Sequence, residues 1–420
     1  MGDRSIRAVP PPIRRSDVDS CPGALRLHAA ADGPLARVRL PGGMLTGSQL
    51  AVLGGLAHRW GDGCLELTSR ANLQLRALRA ADPAELAGLL AAAGLLPSAA
   101  HEVVRNIVAP PLAGAGLRAL VHDLDRALCA DPALAALPGR FLFAIGAVPL
   151  AADVAAVPAG EAFAILLAGT DQGLRVPAAG VVPALLAAAH AFRAEQAACD
   201  PPAWRLRELP DGPARVAARV LAALPGPAAA RPDGATTPGD ARSAAGGRGP
   251  ERGLVGVLAQ ADLPGAAVGA LVPLGRLTRV HLGVLARADR LVITPGRGVV
   301  VPDLAPEAAD RWLRELGEAG LATGAGSRWS GVTACAGRPG CAKALADVRA
   351  DADAAARFVD GLPVHWIGCA RGCGSPAGAH VRVEATPGGY VVSRVPGGAG
   401  GPGGEGLADV VASMRRASGV

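Results

Sequence analysis

Two parts of the chain repeat one pattern. The first reads 36-ARVRLPGGMLTGSQLAVLGGLAHRW-60 and then 65-LELTSRANLQL-75, and the second reads 267-AVGALVPLGRLTRVHLGVLARA-288 and then 291-LVITPGRGVVV-301. Each predicts a strand, a turn, an amphipathic helix and a second strand, and each continues into another helix. Strand–helix–strand units with antiparallel partners predict an α+β fold built from two ferredoxin-like half-domains.

Two segments that are poor in large apolar residues divide the chain. Residues 226–250 read GPAAARPDGATTPGDARSAAGGRGP, which predicts a flexible linker between the two repeats. Residues 396–405 form a second Gly-rich segment, and a short C-terminal helix is predicted around 406–416. The 420 residues therefore divide into two halves near residue 240.

The composition indicates which binding partners and which cell compartment to expect. The net charge of +6 comes from arginine, since Lys343 is the only lysine, and abundant Ala, Gly, Pro and Arg are typical of GC-rich codon usage. Because no Lys/Arg run carries interleaved aromatics, scattered solvated arginines are favoured over a nucleic-acid surface. No apolar run is long enough to span a membrane, and residues 1–17 contain no apolar secretory core, so we expect a cytoplasmic protein.

Four of the eight cysteines lie in two short runs, 335-CAGRPGC-341 and 369-CARGC-373. In a cytoplasmic chain, clustered cysteines indicate metal or redox chemistry rather than disulfides. The gap of five residues between the first two is wide for structural zinc, and the glycines around them allow backbone N–H groups to approach a cluster. The spacing favours a 4Fe-4S cluster and leaves zinc or unrelated free cysteines open.

The other cysteines are dispersed along the sequence. Cys64, Cys129 and Cys199 are interpreted as small buried apolar side chains. Cys21 lies in a tight Cys-Pro-Gly turn, and its role is left open.

Polar residues alternate with apolar ones over 68-TSRANLQLR-76. With a period of two, the polar residues share one strand face, and they are Arg70, Asn72, Gln74 and Arg76. That face is either a solvated surface or a grip for an anionic planar ligand, since the arginine fork matches carboxylates. Further arginines follow in 104-VRNIVAPPLAG-114 and 137-LPGRFLFAIG-146.

These motifs together resemble the sulfite/nitrite reductase superfamily, and within it the precorrin-3B synthase branch. The matching elements are 21-CPGALR-26, the Thr-x-Arg-x-Asn-x-Gln-x-Arg motif at 68–76, Arg105–Asn106, the Leu-Pro-x-Arg-Phe run at 137–141, Thr294-Pro-Gly-Arg297 and the four-cysteine signature. The resemblance covers residues 18–395 apart from the linker.

The resemblance implies a pseudo-twofold fold in which each half-domain is paired with an α/β sulfite-reductase-type domain. The implied units are half-domain 1 (18–100), an α/β domain without a cluster (101–225), the linker (226–250), half-domain 2 (251–325), the cluster α/β domain (326–395), and the Gly-rich segment with the C-terminal helix (396–420).

The resemblance also implies the site. A 4Fe-4S cluster would be held by Cys335, Cys341, Cys369 and Cys373, beside a tetrapyrrole whose acetates and propionates are bound by side chains of both halves. The implied ligand-binding residues are Arg70, Asn72, Gln74, Arg76, Arg105, Asn106, Arg140 and, one position out of register in the second repeat, Arg297.

Two activities are compatible with the superfamily. Its sirohaem-dependent nitrite and sulfite reductases carry a Leu-Pro-x-Lys-Phe-Lys run with two lysines that face the anion. In this chain those places are Arg140 and Leu142, so one cation that would stabilise developing negative charge is missing. The loss favours the synthase, while a non-catalytic cluster or zinc scaffold is the remaining interpretation.

The synthase branch implies an O2-dependent monooxygenase of aerobic cobalamin biosynthesis. It converts precorrin-3A to precorrin-3B by hydroxylation and γ-lactone formation, with O2 as co-substrate and an NADH-linked or ferredoxin-type electron donor. Catalytic residues, and any further iron at which O2 would bind, are not identified by the sequence. His365, four residues before Cys369, is the candidate nearest to the cluster, although a structural role is favoured.

We expect that residues 228–249 can be shortened with little loss of activity. The segment lacks apolar side chains to bury, and the cost of loop closure changes slowly with loop length. Turnover and yield of soluble protein, measured for a shortened chain that still connects the halves, test this. Complete loss of soluble protein would contradict it.

Overall fold

The computed structural model describes residues 21–224, 254–260, 265–376, 378–396, 401–403 and 406–416. The first residues, the predicted linker at 226–250 and part of the Gly-rich segment at 396–405 lie outside the described residues. The predicted C-terminal helix is confirmed at Leu407–Arg416. No described helix combines the length and the apolar character that crossing a bilayer requires.

The secondary structure is mixed. The described α-helices are α1 (Gly47–Trp60), α2 (Pro83–Ala92), α3 (Ala115–Ala130), α4 (Val181–Ala197), α5 (Gly212–Ala223), α6 (Arg279–Leu285), α7 (Pro306–Glu318), α8 (Val348–Ala355) and α9 (Leu407–Arg416). The described strands are β1 (Ala36–Val38), β2 (Met44–Leu45), β3 (Leu65–Leu67), β4 (Leu73–Leu75), β5 (Ile107–Val108), β6 (Phe143–Ile145), β7 (Val154–Ala159), β8 (Ala162–Leu167), β9 (Thr170–Val176), β10 (Gly256–Ala259), β11 (Ala266–Leu271), β12 (Arg276–Leu277), β13 (Leu291–Ile293), β14 (Gly298–Leu304), β15 (Val332–Ala334), β16 (Val364–Ile367), β17 (His380–Thr386), β18 (Gly389–Val395) and β19 (Gly401–Gly403).

These strands form four sheets, which confirms the predicted α+β class. Two sheets belong to the repeats, in the orders β1-β4-β3-β12 and β10-β11-β14-β13-β2. The other two have the orders β5-β6-β7-β8-β9 and β15-β16-β17-β18-β19. In each of these, three parallel strands are followed by two antiparallel ones, so the two α/β units share one topology.

The two repeats exchange edge strands. Strand β2 of the first repeat pairs with β13 of the second, and β12 of the second repeat pairs with β3 of the first. Their helices share one core, in which Leu50 and Leu53 of α1 are buried with Leu282 and Leu285 of α6. Neither half-domain therefore completes its sheet or its core without the other.

The expectation of one strand across 65–75 is wrong, because this segment is a hairpin of β3 and β4. The Thr68 hydroxyl accepts hydrogen bonds from the backbone N–H groups of Arg70 (3.3 Å) and Asn72 (3.0 Å), and Ala71 adopts a left-handed φ of 57°. A threonine that bonds to the backbone just ahead offers the chain a turn in place of a strand.

The second repeat corrects the prediction in the same way. Residues 291–301 form the hairpin of β13 and β14, in which the Thr294 hydroxyl accepts from the N–H of Gly298 (2.9 Å) and Arg297 has a φ of 60°. Arg297 thus takes the left-handed place that Ala71 holds in the first repeat, which accounts for the register difference from Arg70.

Helix α1 offers a test of the exchanged arrangement. A Cβ at Gly47 would lie 2.3 Å from the carbonyl oxygens of Ala286 and Ala288, whereas a Cβ at Gly55 on the same helix meets nothing within 4 Å. We expect Gly47→Ala to lower the free energy of unfolding by about 1–3 kcal/mol through overpacking. Gly55→Ala should raise it by roughly 0.5–1 kcal/mol, because alanine favours the helix. Denaturant unfolding measures the free energy of unfolding of both variants. Equal effects would contradict the close approach of Gly47 to the carbonyl oxygens of Ala286 and Ala288.

Candidate functional site

A polar row crosses the four-stranded sheet of the first repeat. Arg37, Gln74, Glu66 and Arg276 are register partners on adjacent strands, so their side chains share one face. The opposite face consists of apolar residues such as Leu65 that lie in the core of the repeats. The polar row is therefore the face that remains for a ligand or another part of the chain.

The predicted residues of the 68–76 motif are divided by their contacts. The Asn72 Oδ1 atom accepts a hydrogen bond from the N–H of Leu40 at 2.9 Å, which fixes the backbone beside β1. Gln74 accepts from the Arg37 guanidinium at 2.6 and 3.1 Å. Arg76 pairs with Asp32 at 2.9 Å and is 6% exposed. Arg70 lies in the hairpin turn rather than on a strand, and its side chain is half-buried.

Arg70 is one of three neighbouring guanidiniums without a carboxylate partner. In the part of the chain that the structure describes, the Arg70 side chain makes no ion pair or hydrogen bond, and the Arg37 guanidinium bonds only to the neutral Gln74. Arg39 donates to the carbonyl oxygens of Pro22 (3.2 Å) and Val103 (3.3 Å), and its buried Nε atom is unpaired. We call Arg37, Arg39 and Arg70 the arginine cluster.

The electrostatics of the arginine cluster favour an anion. Burial, together with the positive charges of Arg37 and Arg70, lowers the pKa of Arg39 to about 9, although Cys21 and Glu102 counteract the decrease. Burial likewise lowers the pKa of Arg70 to about 10, with Arg205 adding to the effect. Each group stays protonated at neutral pH at an electrostatic cost, and a bound carboxylate would offset that cost.

Sequence reasoning missed Arg37 and Arg39. The signal was present in 36-ARVRL-40, where two arginines alternate with apolar residues in a predicted strand. The pairing of β1 beside β4 brings Arg37 and Arg39 to Arg70, and that pairing is a long-range contact which the sequence of β1 does not reveal.

Arg105 and Asn106 are buried among protein groups. The Arg105 guanidinium forms two hydrogen bonds of 2.7 Å with the Asp125 carboxylate and one of 3.1 Å with the carbonyl oxygen of Leu95. Asn106 donates to the carbonyl oxygens of Val103 and Gly139 at 3.0 Å. Their part in binding a ligand stays a prediction, because both side chains are already satisfied within the protein.

The side chains of Arg140 and Leu142, just before β6, have different surroundings. The exposed Arg140 stacks on Trp204, with its guanidinium carbon 4.6 Å from the ring centroid. Leu142 is 2% exposed and lies in an apolar cluster with Val108, Ala144 and Ala152.

A buried carboxylate connects this strand to the arginine cluster. Asp153 accepts from the backbone N–H groups of Leu142 and Leu206 at 2.8 Å and pairs with Arg205 at 2.8 Å. Burial raises the pKa of the Asp153 carboxyl, although Arg205 and these N–H groups counteract the increase. Both Asp153 and Arg205 act electrostatically on Arg70, so the start of β6 borders the arginine cluster.

The predicted cluster cysteines follow two adjacent parallel strands. Cys335 comes directly after β15, and Cys369 follows β16 by two residues. Because the carboxyl ends of parallel strands meet at one edge of a sheet, the two cysteine pairs come together there. The thiols interact: desolvation raises the pKa of the Cys373 thiol, Arg371 lowers it, and Cys335, Cys369 and Cys341 raise it again.

The loops around these thiols fit a multi-iron cluster. The Gly368 N–H donates to the Cys335 Sγ atom at 3.2 Å, a contact that thiolate ligands of iron–sulfur clusters receive. A Cβ at Gly368 would lie 2.6 Å from the Ala344 Cβ, and one at Gly337 would lie 2.8 Å from the Val348 side chain. Among the described residues, no three Cys, His, Asp or Glu side chains converge on a point that one metal ion could occupy.

Two further predicted residues lie against the cysteine loops. Arg297 donates to the carbonyl oxygen of Ala334 at 3.2 Å, and its guanidinium lies against Gly374. His365 is fully buried, bonded to the Thr333 hydroxyl at 2.8 Å and to the Cys373 carbonyl oxygen at 3.0 Å. Burial lowers the pKa of His365 to about 4, so the ring is neutral and donates one N–H.

The dispersed cysteines differ from expectation. Cys64, Cys129 and Cys199 are each partly exposed rather than fully buried. None of the three lies beside the four cysteines at the end of β15 and β16 in sequence or in sheet position.

Comparisons with known proteins agree with this architecture. Residues 28–93 match the nitrite/sulfite reductase ferredoxin-like half domain. The chain is also similar over most of its length to two kinds of enzyme. It is 29% identical to a precorrin-3B synthase of Sinorhizobium sp over 88% of this chain and 81% of that protein. It is 28% identical to a chloroplastic ferredoxin–nitrite reductase of Zea mays over 81% of this chain and 67% of that protein. It is also 28% identical to a ferredoxin–nitrite reductase of Synechococcus elongatus over 83% of this chain and 75% of that protein.

A solved structure, the NirA protein of Mycobacterium tuberculosis, matches 90% of this chain and 79% of its own with a TM-score of 0.66. At 20% sequence identity this likeness shows a shared fold. These similarities relate the chain to oxidoreductases, and they leave two reactions to be distinguished.

We expect Cys335, Cys341, Cys369 and Cys373 to be the protein ligands of a 4Fe-4S cluster. Replacing any one by Ser should abolish the intact cluster, since an alkoxide is a poor substitute for a soft thiolate. Iron and sulfide content and the absorption spectrum of anaerobically purified protein measure this. Cys64→Ser, Cys129→Ser and Cys199→Ser are the matched controls and should keep the cluster, whereas full iron content in Cys335→Ser would show that the assignment is wrong.

Proposed function

We propose that the chain is a precorrin-3B synthase, an O2-dependent monooxygenase that converts precorrin-3A to precorrin-3B by hydroxylation and γ-lactone formation. One oxygen atom of O2 enters the macrocycle and the other leaves as water. Two electrons and two protons therefore come from an external donor of the NADH-linked or ferredoxin type. The proposal places the protein in the cytoplasm, with a tetrapyrrole substrate and without nucleic-acid partners.

The arginine cluster supports a tetrapyrrole ligand. Arg37 belongs to the polar row that Arg349 of the cysteine-bearing domain contacts through Glu66, Arg39 and Arg70 lie close to it, and none of the three forms a described ion pair. A macrocycle fringed with acetates and propionates supplies several carboxylates at once, and the arginine fork binds carboxylates in pairs. The predicted ligand residues Asn72 and Gln74 would act by positioning Arg37 and the β1 backbone.

Leu142 is the observation that supports the synthase over a reductase. It occupies the place of the second lysine in the reductase motif, and its side chain is packed in an apolar cluster. A site that lacks the second lysine is less suited to reducing a small anion, because one cation that would stabilise the developing negative charge is missing.

The four cysteines fit a 4Fe-4S cluster, a cofactor that both candidate activities would use. A 4Fe-4S cluster bound by the four cysteines would supply one-electron transfer. This chain's own residues would then orient it: Arg297 and His365 fix the backbone on either side of the cysteine loops. Both ring nitrogens of His365 are engaged in hydrogen bonds, to the Thr333 hydroxyl and the Cys373 carbonyl oxygen, which favours a structural role over a metal-binding one.

A sirohaem-dependent nitrite or sulfite reductase is the second candidate, and the similarity to nitrite reductases of Zea mays and Synechococcus elongatus supports it. The absorption spectrum of anaerobically purified protein separates the two. The synthase predicts a broad iron–sulfur shoulder without the Soret and Q-type bands of sirohaem. Incubation with precorrin-3A and 18O2 should place one labelled oxygen atom in the product, while bound sirohaem and nitrite or sulfite turnover would establish the reductase.

We expect Arg70→Ala to weaken precorrin-3A binding about tenfold to a hundredfold. Charge-assisted hydrogen bonds contribute roughly 1.5–3 kcal/mol each, which corresponds to this range of affinity. Fluorescence or absorption titration with precorrin-3A measures it. Arg126→Ala is the matched control, because Arg126 is exposed on α3 and pairs only with Asp123.

We expect Leu142→Lys to lower turnover and stability rather than create a reductase. An ammonium among Val108, Ala144 and Ala152 loses its hydration without gaining a carboxylate. Turnover of precorrin-3A, thermal unfolding and sulfite reduction are measured together. Sulfite reduction by this variant, combined with unchanged precorrin-3A affinity in Arg70→Ala, would contradict the synthase assignment.

A further inference from the structure

Four charged side chains form a network at the point where the cysteine-bearing domain meets the first repeat. Glu66 of β3 is 2.6 Å from the Arg349 guanidinium and 3.7 Å from that of Arg76, and Arg76 pairs with Asp32 at 2.9 Å. We call Asp32, Glu66, Arg76 and Arg349 the ion network. Glu66 and Arg76 are each 6% exposed, so half of the network is nearly free of water.

Both arginines of the ion network also bond to the cysteine loop. Arg76 donates to the carbonyl oxygen of Gly340, the residue before Cys341, at 2.7 Å. Arg349 donates to the carbonyl oxygen of Cys335 itself at 3.3 Å. The Glu66 carboxylate of β3 pairs with both guanidiniums, and the Asp32 carboxylate itself lies beside the loop, 3.3 Å from where a Cβ at Gly340 would stand. Charges of both signs therefore lie close to the loop.

We propose that the ion network sets the reduction potential of the 4Fe-4S cluster through its charge balance, with Arg76 and Arg349 raising the potential and Asp32 and Glu66 lowering it. The inference rests on the proposed cluster. It assigns to Arg76 a positioning role toward the cluster, in place of direct contact with the tetrapyrrole.

The physical basis is the extra negative charge of a reduced cluster. A nearby cation stabilises the reduced state more than the oxidised state, and a nearby carboxylate does the opposite. These effects are larger at a buried site, where water screens charges less. In the ionised network two cations face two carboxylates, so removing either sign leaves an imbalance of the other sign close to the loop.

The carboxylate of Glu66 is ionised in this arrangement. Burial acts to raise the pKa of Glu66, yet the guanidiniums of Arg349 and Arg76 bring it below its usual value. An amide at this position would therefore remove a full negative charge while keeping the shape of the side chain. That makes the opposite-sign comparison possible with nearly isosteric replacements.

The test is a reductive titration of the complete chain with dithionite and mediator dyes. The electron paramagnetic resonance signal of the reduced cluster is monitored during the titration. One electron passes from dithionite to each cluster in the step that is measured. Glu66→Gln should shift the midpoint to a more positive value, and Arg349→Gln should shift it to a more negative one. Arg349→Lys, which keeps the charge, should stay near the unmodified protein.

A merely structural role makes a different prediction. Loosening the loop would expose the cluster to water in both variants and would shift both midpoints in the same direction. Shifts of the same sign, or none, would therefore overturn the inference. Asp123→Asn on α3 is the matched control, since Asp123 is an exposed carboxylate that pairs with Arg126 outside the network, and its midpoint should not move.

Iron and sulfide content separates failure of the inference from failure of the proposed function. Unmodified protein without four irons per chain would overturn the proposed cofactor and this inference together, whereas full iron content with same-sign shifts overturns the inference alone. If Glu66→Gln does not fold, Asp32→Asn replaces it. Asp32 also lies beside Gly340, so the shift should again be positive.

Discussion

The alternation of apolar and polar residues along the strands of one short sheet determines how the site is built. In β1, β3 and β4 the leucines and other apolar residues enter the core that both repeats share, and the edge strand β12 comes from the second repeat. The next residue along each strand must then face the other way, which creates the polar row of Arg37, Gln74, Glu66 and Arg276. That polar face would be costly to bury without partners, and the cysteine loop supplies them through Arg349 and the Gly340 carbonyl.

The two α/β units show one topology with and without cysteines at the starts of its loops. Both have three parallel strands followed by two antiparallel ones, so both bring loops together at the carboxyl end of the parallel strands. After β15 and β16 these loops carry the four cysteines; after β5 and β6 the corresponding loops begin with Ala109 and Gly146. The fold provides the convergence of loops, and the residue types at the loop starts decide whether it can hold iron.

Much of this arrangement is predictable from local sequence, and the failures share one cause. The repeat, the α+β class and the C-terminal helix follow from periodicity within single segments. In 65–75 the alternation of polar and apolar residues continues through the turn, and the Thr68 hydroxyl that turns the chain is a local signal against one strand. In 291–301 the turn residues 294-TPG-296 and the Thr294 hydroxyl carry the same signal. Arg37 and Arg39 were missed because their proximity to Arg70 depends on the pairing of β1 with β4. Long-range pairing is information that no short window contains.

The partners of the arginines separate structural roles from ligand-binding ones. Arg76, Arg105, Arg205 and Arg349 each meet a carboxylate of this chain, and each therefore stabilises the fold at little net electrostatic cost. Among the described residues Arg37, Arg39 and Arg70 form no ion pair: Arg37 bonds to an amide, Arg39 to carbonyl oxygens, and Asp153 acts on Arg70 only electrostatically, while the positive charges of Arg37 and Arg70 lower the pKa of Arg39. The chain therefore pairs the first four arginines and leaves these three without an ion pair. The energy that this arrangement costs the free protein becomes binding energy when an anion with several carboxylates arrives, which is the property that a site for an acidic tetrapyrrole requires.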